Sequence, residues 1–223
     1  MRLHFLRRSG APRVRLVFGL VAVLFAAAAA AAVWRWMWPA PGTQPHFVEV
    51  ASGAYVLPKP DALPSFQLVK HDGTPFDNQA LKGRWTFMIF GYTHCPDFCP
   101  TTLVEFTHVH KLLAQSPHGV RDVQFVLVSV DPARDTLALL ADYVPQFHPS
   151  FIGVTGEAAM IARLADSVGA VYARAPGGSD TSYLIDHSTA ALLINPQGAL
   201  QGVFAAPHAA KQMVQGFAKM REP

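Results

Sequence analysis

The chain has 223 residues, of which 51% are hydrophobic and 15% are charged, so it is long enough to bury one core of ordinary size. Its formal net charge of +3 originates at the N-terminus, where the first 35 positions contain six arginines and no acidic residue. The remaining 12 basic and 15 acidic residues give the rest of the chain a net charge of −3. This balance excludes a basic face for nucleic acid, and we expect no nucleic-acid partner.

An uncharged segment over residues 16–33 follows the first arginines. As a helix it would be about 27 Å long, close to the hydrocarbon thickness of a bilayer. Arginine excess marks the cytoplasmic side, and the tryptophans after the segment suit the opposite interface. We predict a cytoplasmic basic tail (1–15) and a single-pass transmembrane anchor (16–38) in a bacterial inner membrane, with the domain facing the periplasm. The alternative, a cleaved secretory signal, also places the domain outside the cytoplasm.

Proline is concentrated in the next segment, with six prolines between residues 39 and 64. Proline at this density breaks helices and favours an extended chain. We therefore predict a proline-rich tether over residues 39–63, with a short strand possible around Phe47–Val50, and a globular domain over residues 64–223.

The globular segment shows alternating strand and helix patterns. We predict a hairpin over 66–76 that turns at Asp72-Gly73, strands over 85–92, 123–130, 169–174, 190–194 and 199–204, and helices over 101–115, 136–147, 156–168 and 209–220. Strands that alternate with helices before a final hairpin and helix indicate an α/β sheet with helices on both faces. This order fits a thioredoxin-like fold with an added glycine-rich segment near residues 175–186.

The chemistry centres on the two cysteines, Cys95 and Cys99, which lie between the strand over 85–92 and the helix over 101–115. Such a turn places side chains at the carboxyl edge of a sheet, where α/β proteins hold their sites. Cys99 lies near the helix start, where exposed N–H groups stabilise a thiolate. With three residues between them, the two sulfurs could close a disulfide or hold one metal ion. Thiolates select Cu(I) or zinc over magnesium or calcium.

Two structural interpretations of this cysteine pair are weaker. A purely stabilising disulfide would close a very short loop, and the entropy gained grows with loop length. A structural zinc site needs four protein ligands, whereas the chain offers only two thiols. His187, just before the strand over 190–194, is a candidate third ligand. Spacing alone does not distinguish it from the other nine histidines.

Three motifs in order resemble the Sco (SenC) family of cytochrome oxidase copper-assembly proteins. They are GYTHCPDFCPTTL at 91–103, VSVDPARDT at 128–136 and DHS at 186–188, and the resemblance extends from about residue 63 to 217. It implies a thioredoxin-like fold in which copper is bound by Cys95, Cys99 and His187, a mixed donor set that can hold either Cu(I) or Cu(II). It also implies delivery of copper to, or maintenance of the thiols of, the dinuclear copper (Cu-A) site in cytochrome c oxidase subunit II.

The expected partners are therefore subunit II of the oxidase, other copper chaperones and thioredoxin-like reductants. Three ligands leave one side of the metal open to a thiolate or imidazole from the target, so copper could pass by ligand exchange. Oxidation to a Cys95–Cys99 disulfide should abolish binding, because the metal requires the reduced dithiol.

A second functional class uses the same cysteines without copper. In it the chain is a membrane-anchored thiol–disulfide oxidoreductase or redox sensor, with Cys95 and Cys99 as a redox-active dithiol. Copper binding should need His187, whereas dithiol exchange need not. A peroxidase is the weakest alternative, since the sequence indicates no separate peroxidatic environment.

Three neighbouring residues have weaker predictions. His94 either tunes Cys95 or is a solvated loop histidine. Asp131 either lies near the site or caps a turn, with Arg134 and Asp135 pairing locally. Asp186 is a candidate to orient His187, as carboxylates beside metal-binding histidines do.

Overall fold

The computed structural model describes residues 12–37, 47–179 and 182–221. It divides into two compact units, residues 1–45 and 46–223. Within the first unit, helix α1 spans Pro12–Met37. The predicted helix over the uncharged segment is therefore present. Among the described residues, no helix is both long and apolar enough to cross a membrane. Residues 1–11 and 38 lie outside the described residues, and the transmembrane role stays a prediction.

The predicted tether over residues 39–63 is wrong for its second half. Strands β1 (Val48–Ala51) and β2 (Ala54–Ala62) form an antiparallel hairpin, and β2 joins the main sheet. The sequence misleads because residues 57–60, which contain two prolines, lie at a register shift between paired segments of β2. Proline needs no ladder hydrogen bond at such an irregularity. The folded domain thus begins near residue 46 instead of 64, and residues 39–46 lie outside the described residues.

The main sheet has nine strands in the order β1-β2-β11-β10-β5-β6-β7-β3-β4. After β1 and β2, its strands are β3 (Gln67–Lys70), β4 (Pro75–Asp77), β5 (Trp85–Gly91), β6 (Val123–Ser129), β7 (Ile152–Thr155), β10 (Ala191–Ile194) and β11 (Ala199–Phe204). The neighbours β5, β6 and β7 are parallel, and the strands on either side of them pair antiparallel. The predicted hairpin at Asp72-Gly73 is confirmed as β3–β4. Strand β7 was not predicted, since its four residues include Gly153, which interrupts the apolar run.

Four helices cover the two faces of this sheet: α2 (Phe98–Ala114), α3 (Leu137–Tyr143), α4 (Ala158–Ser167) and α5 (Ala210–Arg221). Phe106 of α2, Leu140 of α3 and Phe217 of α5 pack on one face in a core that also contains Phe87 of β5. Ile161 of α4 belongs to a separate core on the other face. The predicted α/β architecture with helices on both faces is confirmed.

A separate two-stranded ribbon stands outside the main sheet. The strand predicted over 169–174 forms β8 (Tyr172–Arg174), but it pairs with β9 (Ile185–His187) and not with the main sheet. The added glycine-rich segment connects these two strands. The ribbon's register sets Tyr172 opposite His187, which is therefore placed by the ribbon and not by a sheet strand.

Candidate metal centre

The two cysteines lie at the carboxyl edge of the parallel strands. Strand β5 is buried throughout and ends at Gly91. A loop over residues 92–97 then carries Cys95, and α2 begins at Phe98, three residues earlier than predicted. Cys99 is consequently inside the first turn of α2. Both thiols are reduced and buried, with 8% of Cys95 and 1% of Cys99 exposed.

Gly91 allows the strand to approach Cys99 closely. A Cβ added at Gly91 would lie 2.5 Å from the Cys99 sulfur and 3.1 Å from the Leu127 side chain. No real contact is that short, so any larger residue would displace the sulfur. This role of Gly91 was not predicted, although a glycine that ends a buried strand signals close approach of another group.

His187 completes a cluster of three ligand atoms. Its Nε2 is 3.6 Å from the Cys95 sulfur and 3.4 Å from the Cys99 sulfur, and the three atoms lie within 4.8 Å of one another. Its Nδ1 lies 2.9 Å from the Ser188 carbonyl oxygen, to which only a protonated Nδ1 can donate. With Nδ1 protonated, Nε2 faces the two sulfurs: as an N–H it donates to the Cys95 sulfur, and once that proton leaves it offers a lone pair to a metal ion. The structure therefore brings together the three predicted residues.

These spacings fit a first-row metal ion. Metal–sulfur and metal–nitrogen bonds of about 2.3 and 2.0 Å put neighbouring ligand atoms about 3.5–3.8 Å apart. The measured sulfur–nitrogen distances of 3.6 and 3.4 Å are close to that range before any adjustment. Two thiols and one imidazole form a mixed soft and borderline donor set, which suits copper. Among the described residues this is the one cluster of at least three such groups.

The pKa values of the two thiols are shifted in opposite directions. The Cys99 thiol donates to the Cys95 sulfur, and His187 and the backbone N–H groups of Cys99 and Asp97 add to it, so the pKa of Cys95 falls to about 3 despite burial. The same bond to Cys95, followed by burial, raises the pKa of Cys99. The predicted thiolate at Cys99 is therefore wrong. The N–H groups at the start of α2 stabilise the Cys95 sulfur instead.

The imidazole is also affected by its neighbours. Burial disfavours the charged ring, but the bonds to Cys95 and to the Ser188 carbonyl outweigh it and raise the pKa of His187. Asp186 is exposed and adds only a weak charge effect. The predicted orienting role of Asp186 is wrong, because the hydrogen-bond partner of Nδ1 is the Ser188 carbonyl.

Tyr92 links the ribbon to the cysteine loop. The side chain is 1% exposed, and its hydroxyl accepts a hydrogen bond from the Ile185 backbone N–H at 3.0 Å. The edge of its ring meets the His187 ring, with centroids 5.8 Å apart. Burial raises the pKa of Tyr92, so the hydroxyl stays neutral. Tyr92 thus fixes β9, and with it His187, against the cysteine loop, a role that sequence reasoning missed.

Asp135 fixes the same cysteine loop through hydrogen bonds. The fully buried carboxylate accepts hydrogen bonds from the Thr93 backbone N–H at 3.0 Å, the Thr93 hydroxyl at 2.6 Å and the Ser129 hydroxyl at 2.6 Å. The predicted pairing of Arg134 with Asp135 is therefore wrong. Sequence reasoning could not find these bonds, because Thr93 and Asp135 are 42 positions apart.

The other predicted neighbours do not join the cluster. Asp131 pairs with Arg134 and accepts a hydrogen bond from the Tyr183 hydroxyl at 2.7 Å. The Arg134 guanidinium lies 3.6 Å from the centre of the Tyr183 ring, so these residues anchor the ribbon. His94 is largely exposed, with its Nδ1 3.0 Å from the Thr93 hydroxyl. It behaves as a loop histidine.

Two clefts lie beside the site. One, of about 260 Å³, contains both Cys95 and His187 among its lining residues and is the approach to the sulfurs. The other, of about 400 Å³, is lined by Arg134, Tyr183 and the glycines 177 and 178 and contains neither cysteine. We assign function to the smaller of these two clefts, because it is lined by Cys95 and His187 and the larger one by none of the three ligands.

A thioredoxin-like domain that combines a Cys-x₃-Cys pair with a distal histidine is the class of protein that this fold and site define. Residues 56–222 match the family model described as SCO1/SenC. The chain belongs to the SCO1/SenC family.

Curated relatives and solved structures agree with this assignment. The chain is 36% identical over 152 residues to the mouse protein named "Protein SCO2 homolog, mitochondrial", covering 68% of this chain and 59% of that protein. The matched region is thus less than two thirds of that relative's length. A structure of Arabidopsis thaliana ScoI with copper bound is 33% identical, with a TM-score of 0.66, and covers 71% of this chain and 96% of that one. Copper-bound yeast Sco1 is 27% identical, also at 0.66, over 72% and 88%.

Proposed function

We propose that this chain binds one copper ion through Cys95, Cys99 and His187 and acts in cytochrome c oxidase assembly. In that role it delivers copper to the dinuclear Cu-A site of subunit II, or maintains the thiols of that site. Copper is the cargo of this reaction. A membrane anchor at residues 16–38 would hold the domain in the periplasm, where the target domain lies.

The observation that carries this proposal is the convergence of two sulfurs and one imidazole nitrogen from separate elements. The Nε2 of His187 lies 3.4 Å from a sulfur 88 positions away in the chain. A metal ion adds a reason for that convergence, because Cys95 already holds a thiolate and the Nε2 of His187 offers a lone pair when the metal replaces its proton. Copper-bound relatives of the same fold support copper as the ion.

The chain's own residues account for transfer. Cys95 and His187 line the open cleft, whereas Cys99 is 1% exposed beneath them. An incoming thiolate from the target can therefore meet the metal on the side of Cys95 and replace one ligand at a time. The buried Cys99 keeps its hold longest, so copper is never free in solution.

The test is copper stoichiometry on the full chain in detergent, fully reduced under anaerobic conditions and challenged with a competing chelator. We expect one copper per chain, lost or strongly weakened in Cys95→Ser, Cys99→Ser and His187→Ala. His108→Ala is the matched control, because that histidine is exposed on α2 and contacts only Glu105. Failure of the wild-type chain to retain copper would reject the proposal.

A second function, thiol–disulfide exchange, is favoured by the opposite acidities of the two thiols. A low pKa at Cys95 above a buried, protonated Cys99 is the arrangement of an attacking thiolate and its resolving partner. His187→Ala separates the two functions. It should weaken copper binding while leaving disulfide exchange with a model disulfide largely intact, and equal copper affinity in this variant would reject the three-ligand site.

A further inference from the structure

The rim of the sulfur cleft combines apolar and acidic side chains. Phe98 is 55% exposed and Leu184 is 52% exposed, and both line the cleft together with Pro96. Large apolar groups exposed around a concave site are typical of a surface that binds another chain. Phe98 comes from α2 and Leu184 from the ribbon, so the two face the cleft from different elements.

The charge of this rim has one sign. Asp97 and Asp186 are exposed and line the cleft, and among the described residues no lysine or arginine lines it. Neither carboxylate belongs to an ion pair recorded among the described residues. Asp97 has only a long hydrogen bond of 3.4 Å from the Thr101 hydroxyl. The acidic groups are therefore free to attract a basic partner.

We infer that the cleft docks an extended protein segment that carries a cysteine, an apolar side chain beside it and a lysine or arginine next to that. The inference rests on the proposed function and specifies which partner segment the site accepts. The cysteine would meet the Cys95 sulfur or its metal, the apolar side chain would cover Phe98 or Leu184, and the basic group would lie near Asp97 or Asp186.

The experiment measures how fast the reduced full chain, in detergent, attacks short cysteine peptides capped as mixed disulfides with thionitrobenzoate. The Cys95 thiolate forms a bond to the peptide sulfur as the bond to thionitrobenzoate breaks, and the coloured anion that leaves is counted. The probes are Lys-Leu-Cys-Leu-Lys, Glu-Leu-Cys-Leu-Glu and Lys-Ser-Cys-Ser-Lys. Each chain variant is scored by the ratio of its rates on two probes, so a general loss of activity cancels.

At low salt we expect the lysine peptide to react about threefold to tenfold faster than the glutamate peptide, as two exposed charge pairs would produce. The ratio should shrink in high salt, where exposed charges are screened. The double variant Asp97→Asn, Asp186→Asn should lower this ratio of lysine-peptide to glutamate-peptide rates to the value expected for a cleft without the two charges. Glu157→Gln with Asp166→Asn is the control, since both residues are exposed at α4 and do not line the cleft. An unchanged ratio in the cleft variant would overturn the inference.

The apolar part has its own comparison. The leucine peptide should react several-fold faster than the serine peptide, and Phe98→Ser with Leu184→Ser should remove that preference. Val104→Ser is the control, because Val104 is 44% exposed on α2 and does not line the cleft. Copper titration of the wild-type chain is done in parallel. A chain that selects these peptides but binds no copper would reject the proposed function and keep the docking cleft.

Discussion

The two sulfurs of the site differ in protonation although only three residues separate them. Cys95 collects hydrogen bonds from the Cys99 thiol, from His187 and from backbone N–H groups, which together lower its pKa to about 3. Cys99 holds its proton in the bond to Cys95, and its burial raises the pKa further. The accessible sulfur is therefore the nucleophile, and the buried sulfur is the second ligand or the resolving thiol.

We predict that iodoacetamide modifies Cys95 before Cys99, at a rate that changes little between about pH 5 and 8. An ordinary thiol with a pKa near 8.5 reacts about tenfold faster per pH unit there, whereas Cys95 is already a thiolate. Mass spectrometry of the reduced, metal-free chain follows both sites. The urea-unfolded chain is the control and should recover the steep pH dependence.

The lowered pKa of Cys95 also makes the stability of the folded chain depend on pH. Because the folded pKa of Cys95 lies below the unfolded one, the contribution of this thiolate to the free energy of unfolding is fully present above the unfolded pKa and disappears as pH falls towards about 3.

In the iodoacetamide experiment, a rate of modification of Cys95 that rises tenfold per pH unit in the folded chain would contradict the low pKa.

At this scale the sequence identifies the chemistry but not its geometry. The spacing of Cys95 and Cys99 after a buried strand predicts convergent sulfurs from local structure alone. His187 required the family resemblance, because its 88-residue separation from Cys99 leaves no local pattern. The Ser188 carbonyl and the Tyr92 hydroxyl were unpredictable, since one is backbone and the other acts through a contact to Ile185 across the fold.

Among the elements, long strands and amphipathic helices were predictable and short or irregular strands were not. Strand β5 has seven consecutive buried residues, a pattern that a central parallel strand demands. Strands β7 and β9 were missed because β7 (IGVT) is interrupted by Gly153 and β9 (IDH) has one apolar residue followed by two polar ones. The sequence thus indicated β8 but neither β9 nor the pairing of the two strands in a ribbon outside the main sheet.

Asp135 connects two of these elements, because it joins the cysteine loop to the carboxyl end of β6. We predict that Asp135→Asn lowers the free energy of unfolding by about 2–3 kcal/mol, because the amide keeps only one accepting oxygen in place of the two carboxylate oxygens that bind Thr93 and Ser129, so a buried donor loses its acceptor. Copper affinity should fall as well, because the loop that places Cys95 loosens. Urea unfolding and chelator competition measure the two effects.

The control for that substitution is Asp142→Asn. Asp142 is exposed on α3, and its side chain takes part in no hydrogen bond recorded among the described residues. It should change neither quantity by more than about 0.5 kcal/mol. Full copper affinity in a destabilised Asp135→Asn chain would show that the carboxylate supports the fold without positioning the site.

The extent of the folded domain is the feature of the whole molecule on which sequence and structure disagree most. Its prolines predict a tether up to residue 63, yet β2 is a full member of the sheet between β1 and β11. Leu57 of this strand is 3% exposed and belongs to the same core as Met88 and Ile161. Composition could not reveal this, because tertiary pairing outweighs the local preference of a proline-rich segment.

We therefore predict that a chain beginning at residue 47 is as stable to urea as the domain in the full-length protein, whereas one beginning at residue 64 is not. Removing β1 and β2 takes Leu57 and Leu63 from the core, and burial of a leucine contributes about 2–3 kcal/mol. It also leaves β11 as an unpaired edge open to aggregation. Circular dichroism during urea unfolding measures the first effect and light scattering the second. Equal urea midpoints for the two truncated chains would show that residues 48–62 belong to the tether and that the sheet is stable without them.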